Sequence, residues 1–255
     1  MPPIQLPTTT TMPNDIQVIS PHRDDAALSL CLAILQWLRD GRTVRMINCF
    51  TRSSFSIDHR AGDIDAVSAV RLREDRAFLE LLGPRATMTD LGHADYIDRP
   101  GWTPQRPTIQ DAPLDDNDRR EIDALATSLA DHLGPGPLLV PSCSGPHRDH
   151  LIAVHATQQA RAAQPVAVYD DQPYTVNSGR PAAEARVRDF AKRFGLTFSP
   201  HQLGDPTDLP TKRAALDAYP SQLDADLIGK VMHDSQRGER VWCDDAAAAL
   251  LGSPG

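Results

Sequence analysis

The sequence predicts an α/β fold: a mostly parallel sheet with helices on both faces, folded as a single domain. Three observations carry this. β-type runs alternate with helical patterns along most of the 255 residues, at separations that suit β-α-β units. Apolar residues make up 40% of the chain and charged residues 24%, the balance of a protein with a packed core rather than a disordered or collagenous one. The length is near the limit for one hydrophobic core, and no internal repeat or low-complexity linker divides it.

Residues 1–14 hold Pro2, Pro3, Pro7 and Pro13, no charge and no apolar run of the kind a signal peptide needs; they read as a flexible arm before a domain over 15–255. Ile16 to Ile19 is a short strand ending at Ser20-Pro21, and the crowded apolar residues from Ala26 to Leu38 predict a buried helix closed by Asp40-Gly41. A second strand is expected from Val44 to Phe50, an amphipathic helix from Asp63 to Leu82 stopped by Gly83-Pro84, and a third strand from Ala86 to Leu91. Gly92 to Leu114 contains four Pro and two Gly without periodicity and predicts a lid or substrate loop, in which Trp102 either stacks on a ring or anchors the loop. Asp115 or Asp116 caps a helix running to about Leu133, and Leu138 to Val140 forms a strand ending at Pro141. A helix over Leu151 to Ala162, a strand over Val166 to Tyr169 and a helix over Pro181 to Phe194 follow; the last sixty residues are expected to be helical, with 220–255 as a helical tail.

The net charge of −8 argues against a nucleic-acid groove. Cys31, Cys49, Cys143 and Cys243 are too sparse for a disulfide framework and include no C-x-x-C pair, which fits a reducing cytoplasm. The uncharged stretches Ala26 to Leu38 and Leu133 to Pro146 are too short, or too rich in proline, to cross a bilayer. The expected partners are therefore small molecules, with a homo-oligomer compatible and neither nucleic acid nor membrane implied.

The unusual chemistry lies in two strand-to-helix turns: Pro21-His22-Arg23-Asp24-Asp25 and Gly145-Pro146-His147-Arg148-Asp149-His150. Taken singly, each has an ordinary reading in which Asp24, Asp25 or Asp149 caps the following helix. Taken together, they bring three imidazoles and three carboxylates to the carboxyl edge of one sheet, where such folds bind ligands. These are the donors that zinc or iron(II) prefers, and a two-His, one-carboxylate set leaves positions open for water and substrate. Spacing alone leaves open which carboxylate ligates and which acts as base.

The paired motifs resemble those of the PIG-L/LmbE-like zinc-dependent N-deacetylase family, whose sheet is Rossmann-like. Arg71-Leu72-Arg73-Glu74 resembles the helix between its two motifs, Leu91 to Asp95 its substrate-facing loop, and Lys212 to Gln222 its late Lys and Ser-Gln segment, so the likeness spans about residues 16 to 222. The resemblance implies that His22, Asp25 and His150 bind the metal, Zn2+ or Fe2+. It also implies that Asp24 is the general base for the attacking water. His147 then stabilises the oxyanion or protonates the leaving amine, with Asp149 orienting its ring, and Arg71 and Asp95 contact substrate. The implied reaction removes an N-acyl group, expected to be acetyl, from an amino sugar or related small metabolite. Arg23 and Arg148 stand where the family usually has Pro and Ala26 where it has Glu; two extra guanidinium groups are expected either to bind an anionic substrate group or to pair with neighbouring carboxylates. Two other readings are a metallo-amidase or esterase acting on a thiol conjugate or other non-sugar substrate, and a metal-binding homologue without turnover. His93 and His155 are expected to do ordinary loop and packing work.

Overall fold

The computed structural model describes residues 15–57, 63–101 and 113–252. Residues 1–14, expected to form an arm, and residues 102–112 of the expected lid, Trp102 among them, lie outside them. Strands β1 (Asp15–Ser20), β2 (Thr43–Asn48), β3 (Ala86–Asp90), β4 (Leu138–Pro141) and β5 (Val166–Tyr169) are parallel, and β6 (Ser199–Leu203) and β7 (Glu239–Cys243) complete a seven-stranded sheet of order β3-β2-β1-β4-β5-β7-β6. The helices are α1 (Asp25–Arg39), α2 (Ile64–Leu82), α3 (Asp116–Ala130), α4 (Arg148–Ala160), α5 (Tyr174–Ser178), α6 (Arg180–Phe194), α7 (Leu209–Asp217), α8 (Ala225–Ser235) and α9 (Asp245–Leu251).

Alternation within the strands divides the core into two layers. Ile16, Val18, Val44, Met46, Leu139, Ala167 and Val241 pack with α1, α2, α7, α8 and α9, whereas Ile19, Ile47, Leu138, Val140, Val168 and Trp242 pack with α3, α4 and α6. The order of elements builds outward from β1 to β3 on one side and then returns to place β4 on the other side of β1. Such a reversal opens a crevice between the carboxyl ends of the two central strands. The two His/Asp turns follow β1 and β4 and meet there.

The expected helical tail is corrected. β7 is antiparallel to both β5 and β6, and it stands within the segment expected to be helical. β6 reads Ser199-Pro200-His201-Gln202-Leu203, a polar edge strand whose proline is tolerated only because it lies at the border. Lacking an apolar face, it gives no alternating signal. The Gly92–Leu114 segment contains a 3-10 turn, Tyr96–Asp98, in its described part.

Among the described residues no helix is long and apolar enough to cross a membrane. The four cysteines are buried.

Candidate active site

The helix-capping reading of the first turn is not what the chain uses. Asp24 is the N-cap residue of α1, but its side chain makes no capping bond. Arg71 of α2 instead donates from Nη2 to Asp24 Oδ1 at 3.3 Å. Asp25, one residue further on, folds back to accept the backbone N–H of His22 at 2.7 Å, which fixes both ends of the turn. At the second turn His147 is the N-cap of α4, again without a side-chain capping bond.

Folded this way, the turns bring three donor atoms together. His22 Nδ1 is 3.3 Å from His150 Nε2, and both lie 3.6 Å from Asp25 Oδ2. Tetrahedral ligands at about 2.0–2.2 Å from a zinc ion stand roughly 3.3–3.6 Å apart, so this triangle has the size the ion needs. The opposite nitrogen of each ring has an acceptor. His22 Nε2 faces Asp149 Oδ2 at 3.1 Å and His150 Nδ1 faces Asp171 Oδ2 at 2.8 Å. A proton held on each of those nitrogens leaves His22 Nδ1 and His150 Nε2 as lone pairs directed to one point, the arrangement of a carboxylate-histidine-metal site. The residues present therefore fit a divalent ion.

Asp171 follows β5, and nothing singled it out in the sequence, although it sits at a strand's carboxyl end as His22 and His147 do. Asp149 has a different part from the one expected. Its oxygens accept from His22 Nε2, the Tyr96 backbone N–H at 3.0 Å and the Arg99 guanidinium, while His147 Nδ1 lies 4.0 Å away. Asp149 thus orients His22 rather than His147. His147 packs edge-on against His22, with ring centroids 4.5 Å apart, and its Nδ1 is buried without a hydrogen-bond partner.

The expectation of an anion site at Arg23 and Arg148 is corrected: both belong to the alternative reading of pairing with carboxylates. Arg23 is 4% exposed and bonds to Asp75 and Asp90, and Arg148, also 4% exposed, bonds to Asp118 and the Pro113 carbonyl. Asp118 belongs to the capping box that starts α3, so Arg148 ties α4 to α3. Neither arginine lines the cavity. The longer side chains reach past the turn into the flanking helices, where buried guanidinium groups need anionic partners.

A cleft of about 250 Å³ opens over the donor triangle, lined by His22, Asp24, Asp25, Arg71, Asp95, His147 and Gln222 together with Leu28, Phe55, Ile97, Pro173 and Tyr174. Asp95 is held by Ser53 Oγ at 2.8 Å, and the loops after β2 and β3 are joined there by a bridge between Arg52 and Ala94. The late segment docks onto α2: Ser221 donates from N and Oγ to Glu74, and Tyr219 Oη donates to Asp75 at 2.9 Å. That docking brings Gln222 to the cleft. Gly145 is required by close approach, since a Cβ there would stand 1.9 Å from the Tyr174 ring, which packs edge-on against His150. His93 bonds to Glu121 and Ser128 and takes no part in the cleft, and His155 belongs neither to the donor groups nor to the cleft.

Burial pushes the Asp24 carboxyl up, Arg71 pulls against it and Asp25 adds to the rise, leaving a carboxylate more basic than in water. Burial also works against charge on Asp25, but the facing His150 and His22 outweigh it and hold its pKa at about 2. Without metal, His22 and His150 are both raised, because burial is outweighed by their carboxylate partners, chiefly Asp149 and Asp25 for His22 and Asp171 and Asp25 for His150. His147 moves the other way, to about 4, through burial and the positive charge of His22.

The doubly wound sheet thus brings a two-His, one-Asp donor set to its switch point, with a basic carboxylate beside it and an open cleft above it, an arrangement into which a single divalent ion fits. The sequence profile of the PIG-L family, described as GlcNAc-PI de-N-acetylase, matches residues 17–161, and the chain belongs to that family. No curated protein matches it in sequence. Among solved structures it is similar to the A40926 pseudoaglycone deacetylase Dbv21, at 20% identity and a TM-score of 0.66 over 91% of this chain and 97% of that one. It is also similar to the zinc-inhibited form of teicoplanin deacetylase Orf2, at 22% identity and a TM-score of 0.65 over 91% and 99%. A third similar structure is GalB, the 4-carboxy-2-hydroxymuconate hydratase from Pseudomonas putida KT2440, at 18% identity and a TM-score of 0.52 over 87% and 84%. A hydratase among these neighbours means that the fold alone does not choose the reaction.

Proposed function

We propose that this protein is a zinc-dependent N-deacetylase that hydrolyses the amide of an N-acetylated amino sugar or a closely related small metabolite. The observation that carries the reading is the donor triangle of His22, Asp25 and His150, with a carboxylate oxygen at the far nitrogen of each ring, beside an Asp24 carboxylate that no helix cap consumes. Family membership supports the acyl-amide bond, and the description of the family profile supports the amino sugar.

His22, Asp25 and His150 would hold the zinc, which when bound would supply Lewis-acid polarisation of the acyl carbonyl and a more acidic water. The chain supplies the rest. Arg71 occupies Asp24 Oδ1, which leaves Oδ2 to take the proton of the attacking water. His147, neutral through burial, faces the cleft as hydrogen-bond donor to the oxyanion that forms on the acyl carbon. The proton taken up by Asp24 then goes to the leaving amine. Asp95 and Gln222 line the same cleft and are proposed to hold the substrate's polar groups, while Phe55, Ile97 and Tyr174 form an apolar wall suited to the carbon face of a sugar ring. At about 250 Å³ the cleft lies below the ~300–1,000 Å³ of pockets that enclose drug-sized ligands, which suits one ring and its acyl arm.

Incubating the zinc-loaded protein with a panel of N-acetylated amino sugars and N-acetylated amines, with mass spectrometry of the products, tests this. Release of free amine from the sugars is expected. Turnover confined to non-sugar amides would remove the substrate class, and no amide hydrolysis across the panel would remove the activity.

A further inference from the structure

Arg99 belongs to none of the motifs on which the family likeness rests, yet it reaches the metal site through one buried carboxylate. Asp149 is fully buried and divides its oxygens: Oδ2 accepts from His22 Nε2 and from the Tyr96 backbone N–H, and Oδ1 accepts from Arg99 Nη2. Arg99 is itself fixed in place. Its Nε donates to the Ala94 carbonyl at 2.9 Å, and its guanidinium lies over the Phe50 ring with 4.5 Å to the centroid, where Phe50 is fully buried at the end of β2.

We propose that Arg99 is a positioning residue for the metal site: anchored on the Ala94 carbonyl and the Phe50 ring, it fixes Asp149 through Oδ1, and Asp149 Oδ2 in turn holds His22 in the orientation that offers Nδ1 to the metal. This rests on the reading that His22, Asp25 and His150 bind the ion. A second consequence follows from the sharing of Asp149. The turn from Asp95 to Arg99, which places Asp95 and Ile97 in the cleft, is bound to the same carboxylate as a metal ligand, so metal binding and the set of this turn are linked reciprocally.

The test is the zinc affinity of full-length protein, measured by competition with a chromophoric chelator, for the parent, Arg99→Met and Arg99→Lys. Arg99→Met keeps an apolar stem over Phe50 and removes the charge; its zinc affinity is expected to fall roughly 10- to 100-fold, the usual cost of losing an outer partner of a metal ligand. Arg99→Lys keeps the charge and is expected to recover most of that loss. Parent-like affinity in Arg99→Met overturns the proposal, and so does an equal loss in both variants, which would show a packing role rather than a charge role. Amide hydrogen exchange in the parent keeps the idea testable if Arg99→Met fails to fold: zinc is expected to slow exchange at Tyr96, and unchanged exchange there overturns the linkage. A parent that binds no zinc overturns the underlying metal assignment instead, and that result is distinct from either outcome in the variants.

Discussion

Replacing Arg71 by Gln isolates the electrostatics of the base. Arg71 is 2% exposed and holds Asp24 Oδ1 at 3.3 Å, so its charge acts on the carboxylate with little screening by solvent. At that distance and an effective dielectric of ~20, the attraction is about 5 kcal/mol before desolvation is subtracted. The net effect of one such neighbour on a carboxyl is a lowering of about 1–3 pKa units. The sign follows from the role. Asp24 works as the base when ionised, burial already raises its pKa, and Arg71 opposes that rise. Removing the guanidinium favours the neutral acid, so the acid limb of the kcat/KM profile moves to higher pH by about 1–3 pH units. Activity at high pH falls much less than activity near neutrality. Arg71→Lys, which keeps a charge without the forked geometry, lies between parent and Arg71→Gln. The assay is amine release from a turned-over N-acetyl substrate over the range in which the protein stays folded. An acid limb that stays in place while activity falls equally at every pH would refute the reasoning and make Arg71 a substrate contact only.

Other outcomes follow from the same geometry. Because His22 and His150 titrate above the ordinary imidazole value in the metal-free protein, zinc binding near neutral pH should release protons, seen by calorimetry in buffers of different ionisation enthalpy; no release would contradict the ligand assignment. The stability these raised values lend to the metal-free fold is present below the unfolded value of about 6.5 and lost as pH rises through the folded values, so its urea midpoint should fall across that range. Gly145→Ala forces a methyl into the Tyr174 ring and should cost about 1–3 kcal/mol and weaken zinc binding through His150; a variant equal to the parent in both would contradict the packing described. Lys212 is fully buried, bonded to Glu239 and to the Leu28 carbonyl, and Glu239 also accepts the Ala33 N–H of α1. Lys212→Met leaves that carboxylate buried without its cation and should lower stability by about 3–5 kcal/mol in urea unfolding; a loss below about 1 kcal/mol would contradict it.

The central strands and helices were legible because their chemistry is periodic. Leu138 to Val140 is an unbroken apolar run and Ile16 to Ile19 is interrupted only by Gln17, as suits buried parallel strands, and the ends of α1 and α2 follow from the closing signals at Asp40-Gly41 and Gly83-Pro84. β6 was not legible, since a polar edge strand has no buried face to announce it. Within the site, the two turns were readable as one His/Asp donor cluster because each follows a strand at the same sheet edge, whereas the choice of His22, Asp25 and His150 within it came from the family resemblance. Their outer partners divide. Asp171 sits at another such strand end and could have been flagged by that rule, whereas Arg99 gives no local signal, because its contact with Asp149 exists only after the loops beyond β2 and β3 are joined. The orientation of Asp149 was misread for a related reason: sequence places it two residues from His147, but the first turn of α4 directs it across to His22.

Zinc content measured together with turnover in the parent, Asp24→Asn and His150→Ala is the most direct test of the central claim. One zinc per chain is predicted in the parent and in Asp24→Asn, with amide hydrolysis lower by roughly 10²- to 10⁴-fold in Asp24→Asn, and loss of the metal is predicted in His150→Ala. An active Asp24→Asn, or a His150→Ala protein that still holds one zinc, would contradict it.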